Sequence, residues 1–206
     1  GNVSFYNETN NKSITPTPTI GGVGLIKNLN DSVSSDIKEI DSYIFVIGKT
    51  LGHLNQSEFF REVLNKKDGP PPEINLFNEK NNGLIVQKII SKKLVNAVHD
   101  VSAGGILIAL SEMCLSGNIG AKINLPKNIK SPHQYLFGED QSRYLIEINK
   151  KHKENVCDIL EKNSIYYEII GKTQNEALAL ENNFSIKLND LKAYYSNWFN
   201  NFFDGQ

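Results

Sequence analysis

The chain has 206 residues, enough for one ordinary domain with a buried core and part of a second. Its 22 basic and 23 acidic residues almost cancel, so nothing in the overall charge points to nucleic acid or an acidic membrane surface. No apolar run reaches the roughly 18 residues of a membrane-crossing helix, and no basic-then-apolar leader opens the chain; the two cysteines, Cys114 and Cys157, lie in helical patterns and read as reduced, buried thiols of a cytoplasmic protein.

In chain order, residues 1 to about 35 show no helical periodicity. Val3, Phe5, Val23 and Leu25 read as short strand pieces around a Thr/Pro loop that Pro16 and Pro18 hold extended. Such a segment cannot bury its own strands and should pack on something else. Tyr43 to Ile47 is an unbroken apolar run ended by Gly48 and reads as a buried strand. Ser57 is placed to cap a short helix bearing Phe59, Phe60, Val63 and Leu64. Gly69-Pro70-Pro71-Pro72 is a stiff break. A longer helix is expected over about 74–94, with Leu76, Phe77, Leu84, Val86, Ile89 and Ile90 as its apolar positions. Ala97-Val98 reads as a strand. Residues 103–116 read as a helix with Ile106, Ala109, Leu110, Met113 and Cys114 on one face. Strands are expected at 122–125, 144–148 and 166–170, a helix at 154–162, and a closing aromatic helix at 186–203 with Tyr194, Tyr195, Trp198 and Phe202. Strands alternating with helices give an α/β or α+β class with a mixed sheet.

Several motifs carry possible chemistry. Gly-Lys-Thr occurs at 48–50 and 171–173, but the glycine that a phosphate-binding loop needs five positions earlier is Tyr43 or Tyr166, so both copies read as strand-ending turns. Gly21-Gly22-Val23-Gly24 is a glycine-rich turn with no capped helix after it to hold a phosphate. Asn2 and Ser4, two apart, point the same way if that segment is a strand; an amide oxygen can serve Mg²⁺ and a hydroxyl can meet a substrate oxygen, or both are strand-edge polar residues. His99-Asp100-Val101-Ser102-Ala103-Gly104-Gly105 ends a strand and starts a helix. Ser102 is a candidate N-cap, and the small residues Ala103, Gly104 and Gly105 could open backbone N–H groups to an anion, or simply form a tight turn. His99 has no second ligand at metal spacing and reads as a hydrogen-bonded structural pair with Asp100. Glu139-Asp140-Gln141-Ser142-Arg143 precedes a strand. Its carboxylates suit acid–base or Mg²⁺ chemistry and Arg143 suits a phosphate, or the segment is a turn with internal ion pairing.

Gly1-Asn2-Val3-Ser4 followed by Thr15-Pro16-Thr17-Pro18, together with the motifs at 99–105 and 137–143, resembles the C-terminal part of phosphoribosylformylglycinamidine synthase in its large-subunit form. The resemblance runs from Gly1 to about Phe203. It implies the C-terminal domain shared with aminoimidazole ribonucleotide synthase from residue 36 to 206, preceded at 1–35 by the tail of an ATP-binding-type domain, so that the sequence begins within a longer protein. It implies an ATP- and glutamine-dependent ligase of purine biosynthesis, in which ATP phosphorylates an amide oxygen and ammonia displaces the phosphate. ATP is then a co-substrate and Mg²⁺ the cofactor, with Gly1 at ATP, Asn2 at Mg²⁺ and Ser4 at the ribonucleotide. Implied partners are the N-terminal part of the same polypeptide, a glutaminase subunit and a small accessory subunit. The family's catalytic histidine matches none of His53, His99, His133 or His152, so these residues alone should be inactive. The motif at 139–143 resembles the copy in the second of two tandem halves, which leaves Glu139, Asp140, Gln141 and Arg143 either at an auxiliary anion site with Asp100 and Ser102 or in a structural role. Leu54-Asn55-Gln56-Ser57-Glu58-Phe59 stands where many relatives carry two glycines, and this variant, with the Lys, Asn and Ile bias, resembles the alphaproteobacterial branch. The alternatives are another superfamily member, such as aminoimidazole ribonucleotide synthase or selenophosphate synthetase, or a structural half holding a nucleotide it does not turn over.

Overall fold

The structure is a computed structural model and describes residues 8–13, 20–26, 28–127, 129 and 131–204. Gly1, Asn2, Val3, Ser4 and Phe5 lie outside the described residues. The first described elements are two short paired strands, β1 (Glu8–Thr9) and β2 (Lys12–Ser13). Asn10 and Asn11 join them with positive φ at both positions, the backbone of a tight hairpin that asparagine tolerates. Val23 and Leu25 are in no strand, and Ile20, Val23, Leu25 and Leu29 are all exposed.

The body of the chain is a seven-stranded sheet. In chain order its strands are β3 (Tyr43–Ile47), β4 (Ala97–Asp100), β5 (Gly120–Ile123), β6 (Tyr144–Ile148), β7 (Tyr167–Gln174), β8 (Ala177–Leu180) and β9 (Phe184–Lys187). Their order across the sheet is β4-β6-β3-β7-β5-β8-β9, antiparallel throughout except the parallel pair β5–β8. The sheet is mixed, as expected.

Helices cover both faces, which explains the unbroken apolar run of β3. Ile44 and Val46 enter one core with α2 (Gly105–Gly117) and α3 (Pro132–Phe137), through Ile106, Leu110, Met113 and Leu136. Phe45 and Ile47, pointing the opposite way, enter a second core with α1 (Leu76–Ser91) and α4 (Lys153–Lys162), through Ile85, Ile89, Val156 and Leu160. A strand buried on both faces has no polar positions to alternate. The last helix, α5 (Leu188–Asp204), anchors Leu188 and Leu191 on the first core and leaves Tyr194, Tyr195, Trp198 and Phe202 exposed. Among the described residues no helix is long and apolar enough to cross a membrane.

Several expectations need correction. The second Gly-Lys-Thr is not a turn: Gly171, Lys172 and Thr173 lie inside β7, paired with Ile123, Lys122 and Ala121 of β5. A Cβ on Gly171 would overlap the Lys122 carbonyl, so glycine is there for close backbone approach rather than for turning. On α1, the buried side is Asn82, Ile85, Val86 and Ile89, while Leu76, Phe77 and Leu84 face outward. Asn75 caps that helix by accepting from Asn78 N–H at 3.0 Å. Ile186 belongs to β9, not to the closing helix. The short helix after Ser57 is a π-type turn at Phe59–Val63, and the Ser57 hydroxyl accepts from Phe60 N–H at 3.1 Å.

Candidate functional site

Pairing brings three strand ends level. Ile47 and Asp100 both sit opposite Tyr144, so the segments after β3, after β4 and before β6 meet at one end of the sheet. The two motifs at 99–105 and 139–143 therefore converge there. Two adjoining clefts open at this end and share Asp140, Gln141 and Ser142. The larger, about 400 Å³, is also lined by Lys49, His53, Pro72, Asn78 and Asn82. The smaller, about 270 Å³, is also lined by Glu79, Asp100, Ser102, Ala103, Glu139 and Arg143.

Most of the polar groups expected to meet a ligand meet the protein instead. Arg143 is buried, its side chain fully so. Its Nε donates to the Asp140 carbonyl at 3.1 Å, one terminal nitrogen to the Gly138 carbonyl at 2.5 Å, and the other to Thr50 Oγ1 at 3.3 Å. That last nitrogen also lies 3.8 Å from Asp140 Oδ2. Burial lowers the guanidinium pKa and the Asp140 charge opposes the shift; an arginine stays charged at any ordinary pH. Asp140 in turn accepts from the backbone N–H groups of Leu51, Gly52 and His53 at 2.9, 2.8 and 3.1 Å. The pair thus closes the 138–143 loop on itself and ties it to the loop after β3. Gly48, at φ +93, lies directly beneath, where a Cβ would strike the Ser142 carbonyl.

The helix start at 103–105 is corrected in the same sense. Ser102 is not the N-cap; Gly104 is, at φ +80, with no side-chain cap. Gly104 N–H donates to Glu139 Oε1 at 2.7 Å, and Gly105 N–H to the Ser102 carbonyl at 3.2 Å. Glu139 Oε1 also accepts from Glu58 N–H at 2.8 Å. Gly105 is packed against the backbone of 136–138, with no room for a Cβ. An anion does sit at this helix start, but it is the chain's own carboxylate. Ser102, Ala103, Asp100 and Gln141 remain exposed toward the clefts. His99 is engaged within the chain: Nδ1 donates to the Asp100 carbonyl at 2.6 Å and Nε2 lies 3.3 Å from Glu112 Oε2.

The sequence reading missed the second support of the 142 turn. Asn82, on the buried side of α1, donates to the Ser142 carbonyl and hydroxyl at 2.9 and 3.0 Å. An asparagine among apolar helix positions was the available signal. Among the described residues no group of three or more His, Cys, Asp or Glu could hold a metal ion.

This geometry belongs to a known fold. The model of the family "AIR synthase related protein, C-terminal domain" matches residues 44–180. The phosphoribosylformylglycinamidine synthase subunit PurL of Pelagibacter ubique (strain HTCC1062) is 49% identical over 204 residues, which is 99% of this chain and 28% of that protein. The same subunit of Rhodopseudomonas palustris (strain BisB18) is 39% identical over 206 residues, again 28% of its length. The chain thus spans little more than a quarter of the curated relatives it matches. Among solved structures, T. maritima PurL complexed with FGAR superposes with a TM-score of 0.65 at 20% identity, covering 79% of this chain and 30% of that one. PurLQS from Thermotoga maritima superposes at 0.61 and 18% identity, covering 79% and 28%. At such identities these structures speak for the fold. Over more than half its length the chain matches one family model, and it belongs to the AIR synthase related proteins through their C-terminal domain.

Proposed function

We propose that the chain is the C-terminal part of a phosphoribosylformylglycinamidine synthase, the ligase that converts formylglycinamide ribonucleotide to its amidine with ATP and glutamine-derived ammonia. The observation that carries this is the 49% identity to the Pelagibacter ubique subunit across 99% of the chain. Solved relatives from T. maritima, one complexed with FGAR and one with ATP, agree with a ribonucleotide and ATP as substrates. The PurLQS assembly agrees with a glutaminase and a small accessory subunit as partners. The proposed division of the chain falls near residue 36. Residues 20–32 are exposed where described, and among the described residues Ile37 is the first fully buried apolar side chain.

Within that enzyme, Gly1 would serve ATP, Asn2 Mg²⁺ and Ser4 the ribonucleotide. The described residues offer no cluster fit for a divalent ion, so the carboxylates that complete a Mg²⁺ site would come from elsewhere in the protein. The role of residues 99–105 and 139–143 is then architectural. The use of Arg143 and Glu139 inside the chain favours a structural half over a catalytic one. This reading predicts that the 206-residue chain alone, given ATP, Mg²⁺, ammonia and the ribonucleotide, releases no ADP above background. Steady turnover by the chain alone would overturn it. In the intact enzyme Asn2→Ala or Ser4→Ala should lower kcat/KM at least tenfold, about 1.4 kcal/mol of transition-state stabilisation, and Asn2→Ala should raise the Mg²⁺ requirement. Normal kinetics for both across a Mg²⁺ titration would remove these residues from the site.

A further inference from the structure

Between the turn at 59–63 and α1 the chain passes along the mouth of the larger cleft. Every residue from Arg61 to Pro71 is exposed, and Pro72 and Glu73 form part of the cleft wall. This stretch has little backbone support. Lys66 N–H donates to the Phe60 carbonyl, and the next backbone–backbone bond among the described residues is Glu79 N–H to the Asn75 carbonyl, inside the start of α1. Residues 67–73 are held by side chains from one short segment. Gln56 Nε2 donates to the carbonyls of Lys67 and Gly69 at 3.3 and 2.9 Å. His53 Nε2 lies 3.0 Å from the Pro70 carbonyl. A carbonyl can only accept, so His53 must present Nε2–H, which it can do whether neutral or charged. Gly69, at φ +94, folds directly against the Asn55 side chain.

Gln56 itself adopts φ +62, a region that a side-chain-bearing residue enters at a cost and that glycine enters freely. Its backbone conformation does not call for glutamine; its side chain is the part that reaches the strap. Pro70, Pro71 and Pro72 stiffen the strap, with Gly69 as a pivot at one end. Few backbone bonds and no buried side chains describe a segment that opens at low free energy. We propose that residues 67–73 form a hinged strap at the edge of this cleft, latched by the Gln56 amide, so that the latch sets whether Pro72 and Glu73 stand as its wall.

Gln56→Gly isolates the latch. It removes the amide while relieving the positive φ, so the fold should be no less stable. Lys66 and Lys67 supply tryptic sites in the strap. The two native cysteines are buried, so spin labels can be placed selectively at Asp68→Cys and Lys80→Cys. The expected result is about fivefold faster nicking after Lys66 and Lys67, in line with one lost hydrogen-bonding group. The label-to-label distance distribution should broaden toward longer values, and the melting temperature should be unchanged or higher. Unchanged nicking and an unchanged distance distribution in the folded variant would overturn the proposal. So would equal acceleration at every tryptic site with a lowered melting temperature, because Gln56 would then brace the whole fold rather than latch the strap.

Discussion

Arg143 shows how a residue type can point to one role and the fold assign another. As one of two arginines in the chain, preceding a strand, it fits a phosphate clamp. In the fold it is buried, spends its donors on Gly138, Asp140 and Thr50, and is neutralised by an aspartate that also gathers three backbone N–H groups. Nothing in the local sequence shows that Leu51, Gly52 and His53 will arrive at Asp140 from almost ninety positions away. Removing one member of a buried pair strands the other charge, so Asp140→Ala should destabilise the chain by about 3–5 kcal/mol in denaturant unfolding. A loss within experimental error would show that the pair is not holding the loops. Weaker acids that the fold keeps protonated set the alkaline limit. Burial pushes the Cys114 thiol from 9.0 up to about 12, and hydrogen bonding to Glu168, with burial, pushes the Tyr166 hydroxyl from 10.0 up to about 12. Burial and Glu168 also raise Tyr135. The folded state therefore keeps protons that the unfolded chain loses. This contribution is whole below about pH 9 and is lost as the pH rises toward 12. The urea midpoint should fall steadily over that interval. A midpoint flat to pH 12 would mean that the native state does not hold these protons more tightly than the unfolded chain.

At the scale of elements, β3 was legible because burial on both faces writes itself as an unbroken apolar run, and β6 because its run is broken only by the buried Glu147. Tyr43–Ile47 and Tyr144–Ile148 were expected with the bounds that are observed. The pieces that were missed are short. Ala177–Leu180 and Phe184–Lys187 have four residues each, and α3 has six. Runs that short carry too little periodicity to separate strand from loop. The glycine of the second Gly-Lys-Thr misled for a physical reason. Glycine marks both a turn and a close backbone approach, and only the neighbouring strand tells them apart. Gly171→Ala forces a methyl into the Lys122 carbonyl at the centre of the sheet. It should lower stability by about 3 kcal/mol or abolish soluble expression. Asn75→Ala removes only a cap and should cost about 1 kcal/mol. If the two variants lost equal stability, close packing at β7 would not be the reason for the glycine.

At the scale of the molecule, Glu139 takes up a donor that the anion-site expectation had left open, while the family resemblance held, and one cause lies behind both. Glu139 reaches the α2 start from the loop before β6 and fills the place where an external anion was expected. That long-range contact is invisible to local pattern. The resemblance draws on many positions at once, and 49% identity across almost the whole chain is insensitive to the use of any one of them. The exposed Ile20, Val23, Leu25 and Leu29, and the outward Leu76 and Phe77, are apolar surface of the kind that other protein covers. The most direct test is a chimera in which this chain replaces the matching stretch of the Pelagibacter ubique subunit. It would be assayed with its glutaminase and accessory subunits, glutamine, ATP, Mg²⁺ and the formylglycinamide ribonucleotide. The account predicts ADP release coupled to amidine formation within about tenfold of the parent, and loss of at least tenfold more on Asn2→Ala. A folded, assembled chimera that makes no amidine while the parent turns over would contradict the assignment of this chain to that enzyme.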